Sequence, residues 1–193
     1  MKRETRILNV ELRTPENEED KMVVEGYAVT FNSPATHGYT EIISDKALDD
    51  TDMSDVPLKY NHEDSHLIMA RTRNKSLELT KDEKGLFIRA ELIDTQSNKD
   101  IYKSIKAGLI DKMSFAFTVR GDEYDYDTDT RTITDIDKLY DVSVVDMPFY
   151  DSTSVYARSE EDDFMERRAE LRKQHEEATK LAEAKKALLA KLG

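Results

Sequence analysis

The 193-residue sequence contains no cysteine, and this absence removes disulfide frameworks and thiolate chemistry from consideration. There is also no glycine-rich loop of the kind that holds phosphate groups. The N-terminal residues lead into no long apolar run, so we expect neither a signal peptide nor a membrane span. A soluble, intracellular protein is the simple expectation.

Basic residues are also fewer than acidic ones. The chain has 29 Lys and Arg against 41 Asp and Glu, a formal net charge of −12. Residues 159–193 contain nine acidic and eight basic residues, so about −11 of that charge belongs to residues 1–158. A nucleic-acid-binding domain would be expected to carry a basic stripe. We therefore expect no DNA or RNA binding by the main domain.

The pattern of apolar residues predicts a mostly β, α+β protein. Short runs rich in β-branched and aromatic residues alternate with polar turns through residues 1–158, which we interpret as one domain with two or three helices. Helices are predicted over residues 45–50 and over residues 98–107, the second beginning at a Thr95 or Ser97 cap. Residues 160–192 lack glycine and proline and predict one long helix, so residues 159–193 form a helical extension for partner binding.

One predicted strand carries a serine on its small-residue face. In residues 113–117 the large side chains of Met113, Phe115 and Phe117 alternate with Ser114 and Ala116. The large residues can then pack in a core, while the small face leaves room for a reactant to approach the Ser114 hydroxyl. A serine on a strand is ordinary by itself, and two other stretches give this one its interest.

Those two stretches supply an imidazole and a carboxylate. His62 lies at the end of a predicted strand, and Asp141 lies in a second strand, where we expect it to share a partly apolar face with Leu139, Ser143 and Val145. A buried carboxylate is costly unless it has a partner. An imidazole can take the proton of a serine hydroxyl, and a carboxylate on its other nitrogen fixes the tautomer.

The residues alone leave alternatives open. His62 is equally compatible with an ordinary turn, and His66, four residues later, competes with it. Asp111 and Asp146 compete with Asp141 for the carboxylate role. We find no metal or cofactor motif: residues 125–129 begin like a calcium loop but lack its glycine and its closing glutamate.

Six stretches together resemble the prohead (capsid maturation) protease family of tailed bacteriophages. In family order they are residues 26–32 (GYAVTFN), 56–62 (VPLKYNH), 85–92 (GLFIRAEL), 107–109 (AGL), 113–117 (MSFAF) and 139–148 (LYDVSVVDMP). The family is similar to the herpesvirus assemblins, which implies a β-barrel flanked by helices. The resemblance places the nucleophile on Ser114 and the base on His62. The third member is Asp141, where many phage relatives carry an acidic residue, or His66, which would match the assemblins.

The resemblance also implies a function. It indicates a serine endopeptidase packaged inside the procapsid in the host cytoplasm, where it cuts the scaffold protein or the scaffolding segment of the major capsid protein and often itself. A homo-oligomer is compatible with this class, and no cofactor or metal is implied. Two departures from the family pattern, Ala116 for a common glycine and residues 68–71 for a Pro-Ile-Gly-Arg-like turn, affect the expected pocket shape.

Two other classes of function remain. The chain is also compatible with a non-enzymatic scaffold or capsid-assembly protein whose tail helix carries the interaction, or with an inactive protease-like domain kept for structure.

Overall fold

The computed structural model describes residues 3–8, 12–15, 21–36, 39–64, 67–146 and 155–192. These residues form ten strands, two α-helices and one 3₁₀ turn (Thr72–Asn74). The strands are β1 (Arg3–Leu8), β2 (Val23–Thr30), β3 (Ala35–Thr36), β4 (Thr40–Ile43), β5 (Pro57–Tyr60), β6 (Ala70–Arg71), β7 (Leu77–Lys81), β8 (Gly85–Glu91), β9 (Lys112–Asp125) and β10 (Thr130–Val145). The helices are α1 (Gln96–Lys106) and α2 (Val155–Leu192).

The larger sheet is built around β9 and β10, which form a long antiparallel hairpin. On one side, β1 pairs antiparallel with β9. On the other side, β10 is long enough to pair with two strands: its first part runs parallel to β4 and its last part parallel to β5. Short strands β3 and β6 complete this seven-stranded sheet. The end of β5 is thereby held beside the end of β10.

The smaller sheet is a three-stranded antiparallel sheet in the order β2-β8-β7. Its inner face packs against β9 and β10 in one hydrophobic core that includes Val24, Ile88, Phe115, Phe117 and Val142. This arrangement confirms the predicted mostly β, α+β class. The predicted barrel is wrong, because the described strands form two sheets that pack on each other, and no pairing among them closes either sheet.

The two predicted helices within the main domain have different outcomes. Helix α1 is confirmed: the Thr95 hydroxyl accepts a hydrogen bond from the Asn98 N–H, and Gly108 beyond its end has a φ of +71°. The helix predicted at residues 45–50 is wrong, since these residues form turns. The carbonyl of Ala47 accepts hydrogen bonds from the Ile136 N–H and the Thr51 hydroxyl, so it does not accept a helical backbone bond.

The long C-terminal helix is also present, and it begins at Val155, before the change in composition at Ser159. Arg168 on this helix donates a 2.9 Å hydrogen bond to the Tyr124 hydroxyl and lies over the Tyr39 ring, with 5.6 Å to the centroid. Seven residues further along the helix, the His175 ring stacks on Tyr126, with 4.9 Å between the ring centroids. The helix is therefore held against the tip of the β9–β10 hairpin, and the described side chains from residue 176 to 186 are exposed.

Candidate active site

Strand β9 presents Ser114 on the face opposite to the core, as the alternation predicted. Met113, Phe115 and Phe117 all belong to the hydrophobic core, and the rings of the two phenylalanines are stacked at 4.7 Å. Ser114 is itself fully buried, so the prediction that the small-residue face leaves open space at its hydroxyl is wrong in this structure. Its hydroxyl is therefore in a protected environment in which a hydrogen bond is strong.

A bulge in β10 determines where Asp141 points. Leu139 pairs with Phe117 and Asp141 pairs with Ala116, so Tyr140 has no partner across the ladder. Because of this extra residue, Leu139 lies in the core with Val142 and Val144, whereas Asp141 is turned to the opposite face. The prediction that Asp141 shares a face with Leu139 is wrong for this reason.

His62 follows β5 in a turn with an unusual backbone. Asn61 and His62 both have positive φ values, 49° and 57°, which is uncommon for residues with a side chain. The turn is fixed to the end of β10: the Asn61 side-chain amide donates to Asp146 at 3.0 Å, and the Asp146 N–H donates back at 3.2 Å. Such local strain is found most often at functional sites.

The structure brings the three predicted site residues together. His62 Nε2 lies 2.5 Å from Ser114 Oγ, and His62 Nδ1 lies 2.5 Å from Asp141 Oδ1. The two ring nitrogens thus contact different partners on β9 and β10. An imidazole held in this way can accept a proton from the hydroxyl while the carboxylate stabilises the resulting imidazolium.

Asp141 is a buried carboxylate with several partners. Its Oδ1 also accepts a hydrogen bond from Ser143 Oγ at 3.1 Å, and its Oδ2 pairs with the guanidinium of Arg3 on β1. Burial alone would raise the pKa of Asp141. The hydrogen bond from His62 and the positive charges of His62, Arg3 and Lys59 outweigh burial, so the pKa lies below its ordinary value. The carboxylate is therefore ionised at neutral pH.

The alternatives for the carboxylate position have other partners. Asp146 contacts the Tyr60 hydroxyl and the Asn61 amide, and Asp111 pairs with Lys112 at 3.1 Å. His66 lies outside the described residues. Among the described candidates, Asp141 is the one bonded to the second ring nitrogen of His62.

Three contacts of the site were not predicted from the sequence. The Ser114 hydroxyl lies 2.9 Å from the backbone carbonyl of Arg6 on β1, a second acceptor besides His62. Ser143 contacts both Asp141 and His62, and its position two residues after Asp141 was the one available indication. The Arg3 and Arg6 contacts join residues more than a hundred positions apart, which local patterns cannot reveal.

Within the described ranges, no group of three or more His, Asp or Glu side chains is placed to hold a metal ion. None of the described helices is both long and apolar enough to span a membrane.

The sequence of this chain matches a known protein family. A sequence model of the caudovirus prohead serine protease family matches residues 9–168. The chain belongs to this family. The resemblance noted in the sequence is thereby confirmed, while the more distant relation to the herpesvirus assemblins stays a prediction.

Two known proteins give the extent of the similarity. The chain is 27% identical over 139 residues to the prohead protease of Enterobacteria phage HK97, covering 70% of this chain and 59% of that protein. It thus spans about three fifths of that relative's length. The structure of the bacteriophage T4 capsid assembly protease matches with a TM-score of 0.43 and 13% identity, over 75% of this chain and 99% of that one.

Proposed function

We propose that this chain is a serine endopeptidase that cleaves the scaffold protein, or the scaffolding segment of the major capsid protein, and itself, during maturation of the phage procapsid. One observation carries the proposal: the His62 ring is hydrogen-bonded to Ser114 on one side and to Asp141 on the other, at 2.5 Å each. Membership of the prohead protease family supports the choice of substrate proteins.

Peptide-bond cleavage in this proposal uses Ser114 as the nucleophile, His62 as the base and Asp141 as the stabilising carboxylate. Ser114 Oγ attacks the carbonyl carbon of the scissile peptide bond while His62 Nε2 takes the hydroxyl proton. Asp141 keeps the other ring nitrogen protonated and stabilises the imidazolium. His62 then gives the proton to the leaving amine, and a water molecule releases the acyl group from Ser114 by the same steps in reverse.

The Arg6 carbonyl affects the resting position of the nucleophile. Ser114 has a single hydroxyl proton, and both His62 Nε2 and the Arg6 oxygen lie within reach of it. Only the hydroxyl that donates to His62 is activated, because a carbonyl oxygen is not a useful base. Attack therefore begins from the conformer in which the proton faces the imidazole.

A fluorophosphonate probe tests the proposal. Ser114 Oγ should form a bond to phosphorus as fluoride leaves, with the hydroxyl proton passing to His62. We expect mass spectrometry to locate the adduct on Ser114 in the wild-type protein, and we expect labelling to be lost in Ser114→Ala and greatly slowed in His62→Gln. Ser104→Ala on α1 is the matched control and should label like wild type. Folded wild-type protein that remains unlabelled would favour the inactive or scaffold-like alternatives.

The tail helix gives a second prediction, on recruitment. Since residues 168–175 contact the hairpin and the described side chains that follow are exposed, a chain ending after His175 should fold and react with the probe as wild type does. We expect its incorporation into procapsids, measured by quantitative immunoblotting of purified particles, to fall severalfold. A chain ending at residue 158 also loses the Arg168 and His175 contacts and serves as the comparison for stability. Normal incorporation of the chain ending at His175 would exclude a recruiting role for residues 176–193.

A further inference from the structure

Ser143 is a buried serine that lies between two members of the site. It is on β10, opposite Ser114 in the ladder and next to Lys59 on β5. Because it lies two residues after Asp141 in a regular part of the strand, Ser143 faces the same side as Asp141, and it is completely buried. A buried hydroxyl must find partners, and those of Ser143 belong to the site itself.

The contacts of Ser143 join the backbone of His62 to the carboxylate of Asp141. The His62 N–H donates to Ser143 Oγ at 3.2 Å, and Ser143 Oγ donates to Asp141 Oδ1 at 3.1 Å. The same oxygen lies 3.2 Å from His62 Nδ1. With one proton to give, the hydroxyl satisfies the carboxylate and accepts from the backbone at the same time.

The two contacts of Ser143 restrain parts of the site that could otherwise adopt other conformations: the His62 backbone and the Asp141 carboxylate. His62 occupies the left-handed backbone region, which a non-glycine residue adopts only where its surroundings enforce it. The terminal torsion of a carboxylate is broad, so Asp141 needs a second contact to keep Oδ1 directed at the imidazole. Ser143 Oγ restrains both residues, since it accepts from the His62 N–H and donates to Asp141 Oδ1.

We propose that Ser143 is a positioning residue that fixes the His62 main chain and the Asp141 carboxylate relative to each other. This inference rests on the proposed function, because it concerns the same nucleophilic site. Ser143 touches no reacting atom in this role. It acts on the rate through the orientation of the imidazole and through the charge that Asp141 presents to it.

The role predicts a change in rate and a change in pH dependence. Ser143→Ala should lower the maximal rate of fluorophosphonate labelling by about ten- to a hundredfold, with little change in the probe concentration at half-maximal rate. Without the hydroxyl donor, Asp141 directs more negative charge at the imidazolium. The rise of the labelling rate with pH should therefore move to higher pH. The charges of Arg3 and Lys59 that also act on Asp141 stay in place.

Matched variants separate positioning from stability. Ser143→Thr keeps the hydroxyl and should restore most of the rate. Ser76→Ala is the control: Ser76 Oγ also accepts from a backbone N–H, that of Arg71 at 2.9 Å, and donates to a side-chain oxygen, that of Asn74 at 2.6 Å, but away from the site. It should leave the rate and its pH dependence unchanged. Thermal unfolding of each variant gives the folded fraction.

The outcomes are distinct from those that test the proposed function. A wild-type rate and pH profile in Ser143→Ala would overturn the positioning role while leaving Ser114 and His62 in place. The positioning role would also be overturned if the labelling rate of Ser143→Ala fell only in proportion to its folded fraction. If Ser143→Ala does not fold, Ser143→Cys, which keeps the shape but donates only weakly, must show the same direction of pH shift or the role is excluded. A wild-type protein that never labels at Ser114 instead removes the proposed function itself.

Discussion

Replacing Ser114 with alanine is expected to abolish proteolysis and leave a folded protein. The hydroxyl is the nucleophile in the proposed mechanism, and loss of the nucleophile in an unrelated serine protease lowers turnover on the order of a millionfold. Removing one oxygen from a buried strand position takes the hydroxyl donor from one acceptor, either His62 Nε2 or the Arg6 carbonyl, at a cost of about 1 kcal/mol in the free energy of unfolding. The strand pairing of β9 does not depend on the side chain.

The measurement is cleavage of co-expressed capsid and scaffold proteins, followed by gel electrophoresis and mass spectrometry. Circular dichroism and thermal unfolding should show that Ser114→Ala is folded. Ser104→Ala, which loses a hydroxyl that donates to the Asp100 carbonyl on α1, is expected to cleave normally. Wild-type cleavage by Ser114→Ala would exclude the serine mechanism.

Replacing Asp141 with asparagine should lower turnover by up to about ten-thousandfold. An amide at this position donates or accepts without negative charge, so it favours the wrong tautomer of His62 and no longer stabilises the imidazolium. The fold should persist, because asparagine has the same shape and Arg3, its partner at Oδ2, is partly exposed. Folded Asp141→Asn with near-normal turnover would remove Asp141 from the proposed mechanism.

The competing aspartate provides the control for this experiment. Asp146→Asn changes a carboxylate close to the same turn, one that contacts Tyr60 and Asn61. Since the second ring nitrogen of His62 is bonded to Asp141, we expect turnover to fall far less than in Asp141→Asn. The reverse ranking would assign the role to Asp146.

Acid unfolding, followed by circular dichroism as the pH is lowered, should distinguish the wild-type protein from Asp141→Asn. The pKa of Asp141 is lower in the folded protein than in the unfolded chain, so the ionised carboxylate stabilises the fold above the unfolded value. That contribution is lost as the pH falls through the depressed folded pKa. Asp141→Asn should lack this component of acid unfolding.

Part of the candidate site could be predicted from the sequence: the family resemblance assigned Ser114 and His62, and local patterns placed Ser114 on the small-residue face of its strand. Ser114 stood out as a small polar residue between large apolar ones, and the alternation that predicted its face is found in β9. The helix at α1 had a cap and a terminating glycine, and both occupy the expected positions. Local patterns were sufficient where local forces decide the conformation.

The remaining features depend on interactions between distant segments. The turns at residues 45–50 exist because Ala47 bonds to Ile136 of β10 rather than within its own segment. The barrel was expected from the family alone, and strand pairing between distant segments gave two packed sheets. The contacts of Arg3 and Ser143 with Asp141 require the ladder register to be known, and no periodicity in a single strand contains that information.

The unmatched Tyr140 adds one residue to β10, and the bulge that holds it decides which side of the sheet the site residues face. Its side chain is exposed, and the charged groups of Arg3 and Lys138 lie over its ring. If Tyr140 were instead taken into a regular ladder, Asp141 would share the core face with Leu139, and Val142 would face the side of Ser114. The bulge thus offsets the extra residue in β10: without it, every residue from Asp141 onward would face the opposite side of the sheet.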